Sequence, residues 1–124
     1  MWLITEKGFI SVVQKPGDAM LTVRARVRED LEKLLDDITY SLATTLPEGT
    51  EIVDTPKADY PFRVQLSRHV LAEVIAWRIR NINYSNFKDT QPERHSVYMD
   101  VWVALMGLAR LKKKPDEQQL NFLS

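Results

Sequence analysis

Leu21-Thr22-Val23-Arg24-Ala25-Arg26-Val27-Arg28 is the stretch whose reading decides the fold. Val23, Ala25 and Val27 alternate with Arg24, Arg26 and Arg28, which predicts a strand with small apolar residues on one face and guanidinium groups on the other. At a rise of roughly 3.3 Å per residue, successive arginines on that face stand about 7 Å apart. Guanidiniums at this spacing can grip carboxylates or phosphates, or face water and nearby acids.

Past Arg28 the apolar period lengthens from two to three and four. Leu31, Leu34, Leu35, Ile38 and Leu42 form the stripe of an amphipathic helix. Glu29, Asp30 and Glu32 fall in its first turn, where negative charge suits the helix dipole and where Arg28 can pair locally. Asp36 and Asp37 diverge by about 100° on a helix, so they read as a solvated face and not as a paired carboxylate.

Upstream, Trp2–Thr5 and Phe9–Gln14 read as strands around a Glu6-Lys7-Gly8 turn, and Lys15-Pro16-Gly17-Asp18 turns the chain into the arginine strand. Downstream, Glu51–Thr55 reads as a strand, and Phe62, Val64 and Leu66 alternate with Arg63, Gln65 and Ser67. Ser67 is placed to cap a helix whose stripe runs through Leu71, Val74, Ile75, Ile79 and Ile82, widened by Val70 and Trp77. The two halves match as a strand-strand-helix repeat. The expected fold class is therefore α+β: a two-layer sandwich with an antiparallel sheet of four or five strands, helices on one face, and a further C-terminal helix. Val23, Ala25, Val27, Phe62, Val64 and Leu66 are expected beneath Leu34, Leu35, Ile38, Val74 and Ile75.

Asn81–Asp89 carries Tyr84, Asn86, Phe87 and Lys88, either as aromatics tucked against a core or as a recognition loop. Thr90-Gln91-Pro92-Glu93 has the pattern of a capping box. It precedes a helix with Val97, Tyr98, Val101, Ala104, Leu105, Leu108 and Leu111 as its stripe. Residues 1–114 read as a single domain and 115–124 as a flexible tail.

The chain has 124 residues, 17 basic and 17 acidic, and no cysteine. Disulfides and thiolate metal sites are excluded, and zero net charge disfavours indiscriminate nucleic-acid binding. The charge is uneven: residues 1–62 hold 7 Lys/Arg and 11 Asp/Glu, residues 63–124 hold 10 and 6. That polarity either helps copies associate or reflects solvated helix faces. With no run of about 20 apolar residues and no secretion signal in Met1–Glu6, a cytoplasmic location is the expectation.

Gly8 through Asp18 (GFISVVQKPGD), Leu21–Leu34, Ala58-Asp59-Tyr60-Pro61-Phe62-Arg63, Tyr84-Ser85-Asn86-Phe87-Lys88 and His95–Leu105 resemble, in order, blocks of a family of small uncharacterised bacterial and phage proteins. The resemblance implies a phage or prophage setting. It implies no activity and no catalytic residues.

Chemistry-bearing motifs are sparse. There is no glycine-rich phosphate loop, and His69 and His95 lie near the starts of different helices without metal-ligand spacing. The expected function is a non-enzymatic binding module that needs no cofactor. Arg24, Arg26, Arg63 and Gln65 would engage an acidic protein surface or a phosphate-bearing ligand, with Tyr84, Asn86, Lys88 and His95 as secondary candidates. One alternative is a small phosphodiesterase or nuclease using the same arginines with His95 or His69 as acid or base. Another is a structural homo-oligomer, most simply a dimer.

Overall fold

The computed structural model describes residues 1–43 and 45–111. The expected tail at 115–124 lies outside them. The chain divides into two compact units, Met1–Asn83 and Tyr84–Ser124.

The first unit is α+β. Strands β1 (Trp2–Thr5), β2 (Gly8–Val13), β3 (Leu21–Ala25), β4 (Val53–Asp54) and β5 (Phe62–Leu66) form one sheet in the order β1-β2-β3-β5-β4. Every neighbouring pair is antiparallel. Helices α1 (Arg28–Leu42) and α2 (Arg68–Arg80) follow β3 and β5. The chain thus builds hairpin-then-helix twice, with β1 as an added edge strand.

The alternation that defines the strands also defines the core. Ile10, Val12, Leu21, Val23, Ala25, Val64 and Leu66 point from the sheet to Leu31, Leu34 and Ile38 of α1 and Leu71 and Val74 of α2. Both helices therefore cover the same face. Removing side chains of this size from water contributes about 1.5–3 kcal/mol each, which is what makes the face choice unambiguous. Leu35, Phe62 and Ile75 are only partly buried at the margin of this core.

The arginine strand is shorter than its alternation implies. β3 ends at Ala25, Val27 is 41% exposed, and Arg28 opens α1 instead of extending the arginine face. Arg28 donates to Glu32 at 3.1 Å and to Asp54 at 2.9 Å, which ties the helix start to β4. By the β2–β3 register, Phe9 would face position 26, where the strand has already ended. The buried Asp30 takes over as acceptor there: its carboxylate receives the Phe9 N–H at 3.0 Å.

In α2 the buried apolar stripe stops at Val74, with Ile75 partly buried, short of the expected Ile79 and Ile82. Ser67 caps the helix, its Oγ accepting from the Val70 N–H at 3.2 Å. The buried positions are Leu71, Val74 and Arg78, spaced i, i+3, i+7, while Ile79 and Ile82 are exposed. The reason is an ion pair. Arg78 Nε donates to the buried Asp37 of α1 at 2.8 Å, so the arginine takes the inward position and Ile79 turns away by about 100°. Asp37 is thus not part of a solvated face, whereas Asp36 is exposed.

In the second unit, two 3-10 turns (Phe87–Asp89 and Pro92–Arg94) lead into α3 (His95–Leu105) and α4 (Gly107–Leu111). Thr90 does not cap α3 as a capping box would. Its hydroxyl donates to the Phe87 carbonyl at 2.7 Å, closing the first turn instead. Of the predicted stripe of α3 and α4, Tyr98 and Val101 are half-buried, Tyr98 against Phe87, and no residue of either helix is fully buried. Among the described residues, no helix is long and apolar enough to cross a membrane.

Candidate functional site: the arginine face of the sheet

With both helices on one side, the odd-numbered positions of β2 and the even-numbered positions of β3 fall on the other. Strand registers align Trp2, Ser11, Arg24, Arg63 and Val53 in one row across all five strands. A neighbouring row holds Val13, Thr22 and Gln65. The sheet therefore brings Arg24, Arg63 and Gln65 onto one face, with Arg24 directly opposite Arg63.

The long polar side chains lie down over small hydroxyls. Arg24 Nη2 donates to Ser11 Oγ at 2.8 Å, and Gln65 Nε2 donates to Thr22 Oγ1 at 2.9 Å. This explains why Ser11 and Thr22 are buried on the face opposite α1 and α2. The Nε atoms of Arg24 and Arg63 are buried without a hydrogen-bond partner.

Tyr60 organises the other half of the face, and sequence reasoning did not single it out. The loop before β5 folds back through bonds from Thr55, whose hydroxyl donates to the Tyr60 and Pro61 carbonyls at 3.2 and 3.3 Å and whose N–H donates to the Pro61 carbonyl at 2.7 Å. Held this way, Tyr60 is only 4% exposed. The guanidinium carbons of Arg24 and Arg26 lie 4.3 and 4.9 Å from its centroid. Such cation–π contacts contribute about 0.5–2 kcal/mol each. Phe9 continues the aromatic line at 6.3 Å from Tyr60, and Trp2 meets Phe9 edge-on at 6.0 Å. The signal available in the sequence was a tyrosine held between Asp59 and Pro61 just before a strand.

Among the described residues, no carboxylate lies within 4 Å of Arg24, Arg26 or Arg63; the ion pairs found there use Arg28, Lys33 and Arg78. No histidine side chain is hydrogen-bonded in that set, and no group of His, Asp and Glu is arranged to hold a metal ion.

The secondary candidates belong to the other unit. Asn86, Lys88 and His95 line a cleft of about 410 Å³ together with Phe87, Gln91, Tyr98, Met99 and Trp102. Tyr84 is not in its wall, but its ring packs on Phe87 at 6.2 Å. His69, exposed on α2, belongs to the first unit, so the two histidines are not brought together within either.

No family model matches this chain, and no curated protein or solved structure shows significant similarity to it.

Proposed function

We propose that the sheet face opposite α1 and α2 binds an acidic surface of a partner protein through Arg24, Arg26 and Arg63, without catalysis of its own. The observation that carries this reading is the cross-strand pairing of Arg24 with Arg63 in the absence of a carboxylate partner for either among the described residues. Like charges directly opposite on a sheet destabilise it, so the arrangement gains from a counter-anion. The surroundings favour protein over a small anion. The row from Trp2 to Val53 crosses four strand spacings, about 19 Å, which suits a protein segment and exceeds a single phosphate group. Arginine with tyrosine and an exposed tryptophan is also the composition of protein-interface hot spots. The hydrolase alternative relies on His69 or His95 as acid or base, and the first unit brings neither to the arginines: His69 lies on α2, which covers the opposite face, and His95 belongs to the second unit. The resemblance of the sequence blocks adds a bacterial, phage or prophage setting to the proposal.

A glutamate-rich peptide titrated calorimetrically at low salt is the probe. Binding should weaken as salt rises, and Arg24→Ala with Arg26→Ala should reduce affinity by about a hundredfold or more; the variant should stay folded by circular dichroism but melt several degrees lower, since it loses two contacts to Tyr60 and the bond to Ser11. Arg63→Gln should act in opposite directions: weaker peptide binding, but a free protein more stable by about 0.2–1 kcal/mol once the opposed charge is gone. If inorganic pyrophosphate saturates the face with the same arginine dependence and the peptide does not, the ligand is phosphate-bearing. Undiminished peptide affinity in the double arginine variant would overturn the reading.

A second reading, self-association, is favoured by α3 and α4, where Val97, Val103, Leu105, Met106, Leu108 and Leu111 are all exposed large apolar residues. A helix apolar on every side is stable in water only when something covers it. Sedimentation at micromolar concentration should give about twice the 14.4 kDa chain mass. A mass of one chain would reject this reading.

A further inference from the structure

We propose that the cleft of the second unit is a binding site for a small planar apolar molecule carrying an acidic group. It is independent of the arginine face, shares no residue with it, and lies wholly among residues of one compact unit.

The cleft has the two parts that such a ligand needs. Its wall is aromatic and apolar: Phe87 and Tyr98 stack with centroids 5.9 Å apart and planes inclined by 26°, and Met99 and Trp102 complete it. Tyr98 is held from outside by its hydroxyl, which accepts from Arg94 Nη1 at 3.1 Å, so its ring presents a fixed surface. Trp102 is 58% exposed, leaving much of its indole available to a second ring. The rim is polar and carries no acid. Lys88 supplies an ammonium donor, His95 an imidazole, and Asn86 an amide whose oxygen already accepts the Lys88 backbone N–H at 3.3 Å, leaving its NH₂ group to face a ligand as a donor. Neither Asp nor Glu is among the lining residues described.

A volume of about 410 Å³ lies in the range of small-molecule sites, which combine a mostly apolar lining with a few placed polar groups. Charge complementarity selects the head group: a rim of donors and a lysine with no lining carboxylate favours a carboxylate or a similar anion over an amine. Stacking on the tryptophan and the Phe87–Tyr98 pair selects the body. A local turn sets the spacing, since Asn86, Phe87 and Lys88 are consecutive and the 3-10 geometry of Phe87–Asp89 places them beside the start of α3.

The probe is 2-naphthoate, titrated into the full chain and followed by calorimetry and by Trp fluorescence, with 2-naphthamide as the neutral comparator of the same shape. Saturable binding is expected, with the acid preferred over the amide by about tenfold. Lys88→Ala should remove most of that preference while leaving amide binding unchanged, and Trp102→Ala should weaken both by about tenfold. Both residues are exposed, so neither substitution threatens the fold. The Arg24→Ala, Arg26→Ala double variant should bind 2-naphthoate as the unaltered chain does, which separates this site from the sheet face. An absence of saturation up to about 1 mM, the weak end of specific binding, would overturn the proposal. So would equal affinity for acid and amide, or binding that survives Trp102→Ala unchanged.

Discussion

Replacing Gly8 with alanine is expected to remove about 3–5 kcal/mol of folding stability, a large share of the roughly 5–15 available to a domain of this size. Two costs combine. Gly8 has φ of +128°, a region L-residues rarely adopt, and forcing a side chain there costs about 1–3 kcal/mol. A Cβ at this position would also overlap the carboxylate of Asp30. Asp30 is buried and accepts the Phe9 N–H, so displacing it forfeits a charge-assisted hydrogen bond worth about 1.5–3 kcal/mol. Urea unfolding of Gly8→Ala, Asp30→Ala and the double variant separates the terms. The double variant should lose clearly less than the sum of the singles, because the overlap disappears with the carboxylate. Additive losses would mean that the two residues do not compete for the same space.

The second large effect concerns the pair that joins the helices. Asp37→Ala is expected to cost about 3–5 kcal/mol, because it strands a guanidinium that is 7% exposed and whose Nη2 is buried without a partner. Removing both charges should be far milder. Asp37→Leu with Arg78→Met refills the volume with apolar groups, and such replacements are often neutral or stabilising by about 1–4 kcal/mol. Denaturant midpoints of the single and double variants decide the matter. A double variant as unstable as Asp37→Ala would show that the pair contributes a net attraction beyond avoiding a lone buried charge.

Much of the first unit was legible because its elements announce themselves locally. The two-residue period of Leu21–Ala25 and Phe62–Leu66 and the longer period of Leu31–Ile38 name the inward-facing residues, and those residues form the core. Ser67 announced α2 for the same reason: a cap acts across three residues. The candidate face was legible in part. Alternation placed Arg24 and Arg63 away from the helices, but their direct opposition follows from the β3–β5 register, set by contacts about forty residues apart.

Where the reading failed, a distant partner outweighed the local pattern. Alternation runs on to Arg28, but β3 stops at Ala25, with Asp30 serving the backbone of Phe9 and Arg28 drawn to Asp54. The isoleucine spacing of α2 favours Ile79 as an inward position, yet Arg78 goes inward because Asp37 lies across the helix pair. The Tyr60 loop reads as an ordinary proline-flanked turn until it is laid over the sheet, where its ring meets Arg24 and Arg26. Local patterning was enough to set the α+β class and the apolar side of each strand, since burying apolar surface depends only on which residues share a side. Tertiary structure decided which charged residues are buried and, apart from the local Arg28–Glu32 and Lys33–Glu29 pairs, which are paired. A charge leaves water only when its counter-group is already in place, and here that group comes from elsewhere in the chain.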